Sequence, residues 1–152
     1  MAKKSRQVCV MQVNEAKGNK DRIEPILQFS VLCDGVAQDP NGKMAFIGVF
    51  ESLVRPATVP QFFIVNKWIN GQGTFRQSVE ILTPDLRLNG GQPSLVQEFA
   101  LLSQAAGNLV VVGFVNYVFN DTGVYWVQIK LDDEMVMAYP LPVFQPSASI
   151  PR

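Results

Sequence analysis

The chain has 152 residues, with 13 Lys plus Arg, 13 Asp plus Glu and no histidine. One domain of that length buries roughly two-thirds of its unfolded surface, enough for a core that needs neither disulfides nor a metal. The missing histidine removes Ser-His-Asp triads, Cys-His pairs, two-histidine zinc motifs and histidine acid-base work together, so a non-enzymatic protein without a cofactor is expected.

Two cysteines, Cys9 and Cys33, make no disulfide framework and read as reduced thiols. Lys3, Lys4 and Arg6 precede Val8-Cys9-Val10-Met11, but Gln7 and Gln12 cut that apolar stretch and no cleavage pattern follows, so a signal peptide is not expected. The longest apolar run, Leu109 to Val115, is too short to span a bilayer as a helix, and a cytoplasmic protein without membrane contact is expected. Charge is unevenly placed: residues 1 to 22 hold six Lys or Arg against Glu15 and Asp21, leaving seven basic and eleven acidic groups in the remainder. An arm and a body of opposite sign attract each other or a neighbouring subunit. A nucleic-acid arm is the sharper alternative, but six cations without aromatic interleaving leave a weak footprint.

In chain order, residues 1 to 25 read as a basic arm with one possible strand at Gln7 to Val13. The body, residues 26 to 143, shows short strand-like runs every ten to fifteen residues, each followed by turn residues, which is the all-β signal. Leu27, Phe29, Val31 and Cys33 share one parity, and Asp39-Pro40-Asn41-Gly42 then turns the chain into Met44 to Phe50 as a hairpin. A Pro-bounded connection, Arg55 to Pro60, leads to Phe62 to Ile69, and Gly71-Gln72-Gly73 turns into Phe75 to Leu82, a second expected hairpin. Leu95 to Leu102 fits either a strand or a short helical turn, and Leu109 to Phe119 is a strand.

Asp121, Gly123 and Tyr125 repeat the spacing of a tyrosine corner, in which immunoglobulin-like sandwiches tie a late-strand Tyr hydroxyl back to the preceding turn. Position 127 is Val where antibody-type domains carry their second bridging Cys, so the likeness is to the architecture. Val124 to Leu131 and Met135 to Val143 pair across Asp132-Asp133-Glu134, and Pro140 with Pro142 assigns the last strand to a sheet edge. Residues 144 to 152 read as a tail. The fold class is thus an antiparallel two-sheet β-sandwich of about eight strands with arms at both ends.

An isolated sandwich alternates apolar and polar residues along its strands. Met44 to Phe50 lacks a polar residue on either parity, Leu109 to Phe119 has only Asn116, and Phe62, Ile64 and Trp68 oppose Phe63, Val65 and Ile69. Either an arm, the 83 to 108 connection or the tail covers the outer face, or a partner does. Trp68, Phe62, Ile64 and Trp126 are the interface candidates, Trp126 because its parity opposes Tyr125, Val127, Ile129 and Leu131.

For chemistry, Cys33 is a nucleophile only by elimination, and its parity favours a buried core thiol. If every strand crosses the sandwich once, Asp34, Asp39 and Asn41 lie at the same end as Asp132, Asp133 and Glu134, a weak candidate set of oxygen ligands for Ca²⁺. The same residues are ordinary turn formers. Asp121 reads as a backbone cap or an Arg partner.

The segments Phe29-Ser30-Val31-Leu32-Cys33-Asp34, Gly42 through Phe50, Gly123-Val124-Tyr125 and Lys130-Leu131-Asp132 resemble a family of small bacterial proteins known only as a domain of unknown function. The resemblance covers about residues 27 to 143 and implies a compact β-sandwich without implying an activity. The function expected is action through protein-protein surfaces, as a subunit of a homo-oligomer or larger assembly. A ligand-binding module at the acidic loop end is the alternative, and a histidine-free enzyme comes third.

Overall fold

A computed structural model describes residues 21–54, 58–91 and 95–146. The expected strand at Gln7 to Val13, Cys9 and the end of the tail lie outside these residues. Nine strands are formed among them: β1 (Ile26–Gln38), β2 (Met44–Phe50), β3 (Leu53–Val54), β4 (Thr58–Ile69), β5 (Gly73–Leu82), β6 (Leu95–Leu101), β7 (Asn108–Val118), β8 (Gly123–Leu131) and β9 (Glu134–Phe144). They form a four-stranded sheet, β2-β1-β4-β7, packed on a five-stranded sheet, β3-β9-β8-β5-β6. The expected two-sheet sandwich is therefore the fold. The additional strand is the two-residue β3, too short to carry a period, and the ambiguous Leu95 to Leu102 run is the strand β6.

The second expected hairpin does not form. β4 pairs with β1 and β7, whereas β5 pairs with β6 and β8, so the turn between them carries the chain from one sheet to the other. Asn70 turns there with φ 61°. Gly71 allows the corner to close, because a Cβ at that position would stand 2.7 Å from the Cβ of Pro25. Ile23 pins the corner with two backbone hydrogen bonds to Gln72, of 2.8 and 2.9 Å.

Trp68, Phe62 and Ile64 point inward and are fully buried, which corrects their expected place on an outer surface. Phe62 stacks on Phe114 with ring centroids 4.6 Å apart, and Trp68 stacks on Phe99 of the opposite sheet at 5.5 Å. Phe119 meets the Tyr125 ring edge-on at 5.0 Å. Aromatic side chains of this kind bury large apolar areas and weigh heavily in the energetics of a core.

Within this apolar interior runs one chain of polar contacts. The Trp68 indole N–H donates to Gln77 Oε1 at 2.7 Å, Gln77 Nε2 donates to Gln97 Oε1 at 3.2 Å, and Gln97 Nε2 donates to the Val111 carbonyl at 2.9 Å. The chain leaves the four-stranded sheet at β4, crosses to β5 and β6, and returns to β7.

Two irregularities shift side chains away from the pattern expected for β1 and β2. A register shift between Leu27 and Phe29 turns Leu27, Ser30 and Leu32 inward, and leaves Phe29, Val31 and Cys33 on the outer face. The Phe46 ring, registered opposite Val36, lies 5.9 Å from the Phe29 ring, seven residues back along β1. A straight strand would separate Phe29 from Val36 by about 23 Å, so β1 bends and returns the far half of the β1–β2 ribbon toward its own outer face.

Replacing Gln77 by Met keeps the volume but strands the Trp68 N–H and one end of Gln97. The expected loss is about 2–4 kcal/mol in urea unfolding, and a Trp68→Phe, Gln77→Met double variant should lose less than the sum of the two single changes.

Candidate functional site

The outer face of the four-stranded sheet can be written row by row from its pairing. Val49, Cys33, Phe63 and Gly113 form one row, Val31, Val65 and Val111 the next, and Phe29, Lys67 and Leu109 the third. Lys67 is the one charge in these rows. Val65 and Cys33 are fully buried, and burial pushes the Cys33 thiol pKa up, away from the reactive thiolate. The edges of the face are open: Ile47 is 58% exposed, Val49 56% and Val115 69%.

The opposite outer face has a different character. On β8, Trp126, Gln128 and Lys130 point outward, and Lys130 pairs with Glu80 at 2.7 Å. Trp126 is half-buried there, registered between Leu82 and Pro140.

The acidic residues expected at one end do not gather. Leu131 pairs with Gln77, and Asp132 sits beside Arg76, at the end where β1 begins; Asp39 lies at the far end of β1. The discrepancy arises because β2 pairs with β1 only as far as Leu32 and hands over to β3, after which β4 starts again at the far end, with Thr58 opposite Val118. These strands do not make a full crossing, and an alternating count is off by one from there on. Among the described residues no group of three or more His, Cys, Asp or Glu is placed to hold a metal ion.

Each of these carboxylates has a local structural use. Asp39 Oδ1 accepts from the backbone N–H of Asn41 at 2.9 Å and of Lys43 at 2.8 Å, closing the hairpin tip. Asp34 packs against Gly48 on the facing strand, and Glu134 opens β9 in an exposed position. Asp132 and Asp133, with φ 47° and 71°, occupy a two-residue hairpin turn that demands positive φ at both positions. Asp133 pairs with Arg76 at 3.1 Å, and Asp132 pairs with Arg22, whose guanidinium also lies 4.3 Å over the Phe75 ring.

At the corner before β8, the Tyr125 hydroxyl donates to the Asp121 carbonyl and accepts from the Asp121 N–H, both at 3.0 Å. The main chain of Asp121 makes this contact. Gly123 has φ 131°, and a Cβ there would stand 2.9 Å from Pro84.

A cleft of about 400 Å³ opens on the side of the sandwich between β1–β2 and β9, lined in part by Ser30, Phe50, Glu51 and Tyr139. The Ser30 and Tyr139 hydroxyls are 2.9 Å apart and bridge the two sheets. Ser30 escaped the sequence reading because the register shift in β1 conceals its inward direction, although a polar residue at a core position is the signal that marks it.

A model for a family of unknown function, DUF6941, matches residues 28–144, from the third residue of β1 to the last residue of β9. The chain belongs to this family. The resemblance expected over residues 27 to 143 is thereby borne out; the structure supplies the β-sandwich, and membership of DUF6941 brings no known activity. No curated protein matches the chain. Among the described residues, no helix is long and apolar enough to cross a membrane.

Two outcomes follow for this DUF6941 member. Tyr125→Phe strands the Asp121 N–H and should cost about 1–2 kcal/mol in urea unfolding. Burial alone would raise the Asp132 carboxyl, but the Arg76 N–H and then the Arg22 guanidinium outweigh it and hold the carboxyl below the ordinary aspartate value. A folded-state pKa below the unfolded one contributes stability that is present above the unfolded value and lost as pH falls through the folded one. Asp132→Asn should therefore flatten the acid side of the stability profile below about pH 4, and an unchanged slope in acid titration monitored by circular dichroism would show that the pair contributes nothing there.

Proposed function

We propose that the protein acts without catalysis, through protein-protein surfaces, as a subunit of a homo-oligomer or larger assembly. The observation that carries this reading is the outer face of the four-stranded sheet. Its three central rows contain a single charged residue, Lys67; Val65 and Cys33 in them are already buried within the single chain, and the apolar surface open to a partner is the rim formed by Ile47, Val49 and Val115. Antiparallel sheets that face water normally alternate, as β8 does on the other side of the molecule. An extended apolar sheet face is the commoner property of a buried contact. The opposite signs of the first 22 residues and the remainder add an attraction between one copy's arm and a neighbour's body.

The measurement is the native mass of the full chain by light scattering. A mass that is a multiple of 16.8 kDa is expected, with Val49→Glu and Val115→Glu returning it to a single chain while circular dichroism keeps the β signal. Both residues are exposed, so the charge is tolerated by the folded monomer. A monomeric wild-type chain at micromolar concentration would sink the homo-oligomer reading. Trp126→Asp, on the polar sheet, tests the other face: retained association assigns the contact to the four-stranded sheet, and its loss moves it to the five-stranded one.

A further inference from the structure

We propose that the side cleft between β1–β2 and β9 binds a small uncharged amphipath, an apolar ring or branched chain carrying a carbonyl-class head. This site adjoins the apolar sheet face at Val31 and Val49 but does not rest on the assembly reading.

The cleft exists because of the topology. β2 leaves β1 once Phe50 has paired with Leu32, and β3 reaches β9 only at Val143 and Phe144, so the lower edges of the two sheets stand apart. Its volume of about 400 Å³ lies within the range of small-molecule pockets. Leu32, Val49, Phe50, Pro140 and Pro142 give it apolar walls.

It is not built to take a further strand. Pro140 and Pro142 offer no N–H to a ladder along the β9 edge, and the register shift between Leu27 and Phe29 breaks the regular spacing along the β1 edge. An occupant must therefore be held by shape and by side chains.

The polar groups at the cleft are few and incompletely used. Ser30 and Tyr139 carry two hydroxyl protons, and their mutual hydrogen bond consumes one of them. The other is available to an acceptor. Burial pushes the Tyr139 phenol up to about 12, so it remains a donor throughout the physiological range. Asn66, registered opposite Ser30 on the same inward face, is fully buried and does not line the cleft. Glu51 stands exposed at the rim and makes no ion pair with a described residue, which sets the mouth against anions. Apolar walls, a spare hydroxyl proton and a carboxylate at the mouth together select a neutral carbonyl compound over a hydrocarbon or a carboxylate.

The test is a ¹H–¹⁵N NMR titration of the full chain with benzamide, benzoate and ethylbenzene, three probes of similar shape. Benzamide should shift the amides of Ser30, Val31, Leu32 and Tyr139 saturably, and bind about tenfold more tightly than ethylbenzene. Benzoate should bind more weakly than benzamide and gain in Glu51→Gln. Tyr139→Phe should bring benzamide to about the affinity of ethylbenzene, the loss expected when one hydrogen bond is removed. Ser30→Ala makes the same comparison if Tyr139→Phe does not fold. Absence of saturable shifts with all three probes, shifts confined to other parts of the molecule, or equal affinity for benzamide and ethylbenzene would overturn the proposal.

Discussion

The hydrogen-bonded series Trp68–Gln77–Gln97–Val111 is the constraint on which the placement of the two sheets depends. Apolar contact between the sheets supplies most of the attraction but is indifferent to small sliding displacements. Hydrogen bonds require distance and direction, so four partners in sequence on β4, β5, β6 and β7 set one relative position. The cost of a buried polar group left unmade is what turns this preference into a requirement. Along this flank Asn108 adds a further bond from its side chain to the Ala100 carbonyl, of 2.9 Å.

The opposite flank has much less holding it. There the sheets meet through the Ser30–Tyr139 hydroxyl pair and the two-residue β3, and the side cleft occupies what remains. A sandwich shut on one flank and parted on the other follows from strands that end early on one side and from polar residues placed to bridge the sheets on the other. Gln77 and Gln97 are long enough to reach across to the facing sheet. Ser30 is short, and Asn66 beside it finds no partner among the described residues.

Much of this architecture was legible in the residues, and the errors have specific physical sources. β8 was readable because its outer positions, Gln128 and Lys130, are polar and its inner ones, Val127, Ile129 and Leu131, are not. β4 was not, because Phe62, Ile64 and Trp68 are as apolar as Phe63 and Val65; parity alone cannot say which set faces inward. The deciding contacts, Trp68 to Gln77 and Trp68 to Phe99, come from the other sheet. The Gly71 turn has the composition of a hairpin, yet it joins different sheets because Ile23 and Pro25, far from it in the chain, occupy the place beside it. The acidic residues were assigned to one end by a strand count that the short run of β2 invalidates. The cleft had no sequence signature at all, since it is bounded by strands that stop early.

The unlike characters of the two outer faces also bear on how far self-association can extend. An object that is adhesive on both broad sides can stack without limit, each addition presenting a fresh surface to the next. This molecule has the Glu80–Lys130 pair on one broad side and, on the other, apolar rows in which Lys67 is the one charge. A contact made apolar side to apolar side uses the same patch on both participants, is related by a two-fold axis and leaves nothing further to add. An assembly of the kind proposed, made through that side, would be a finite, closed object and not a filament.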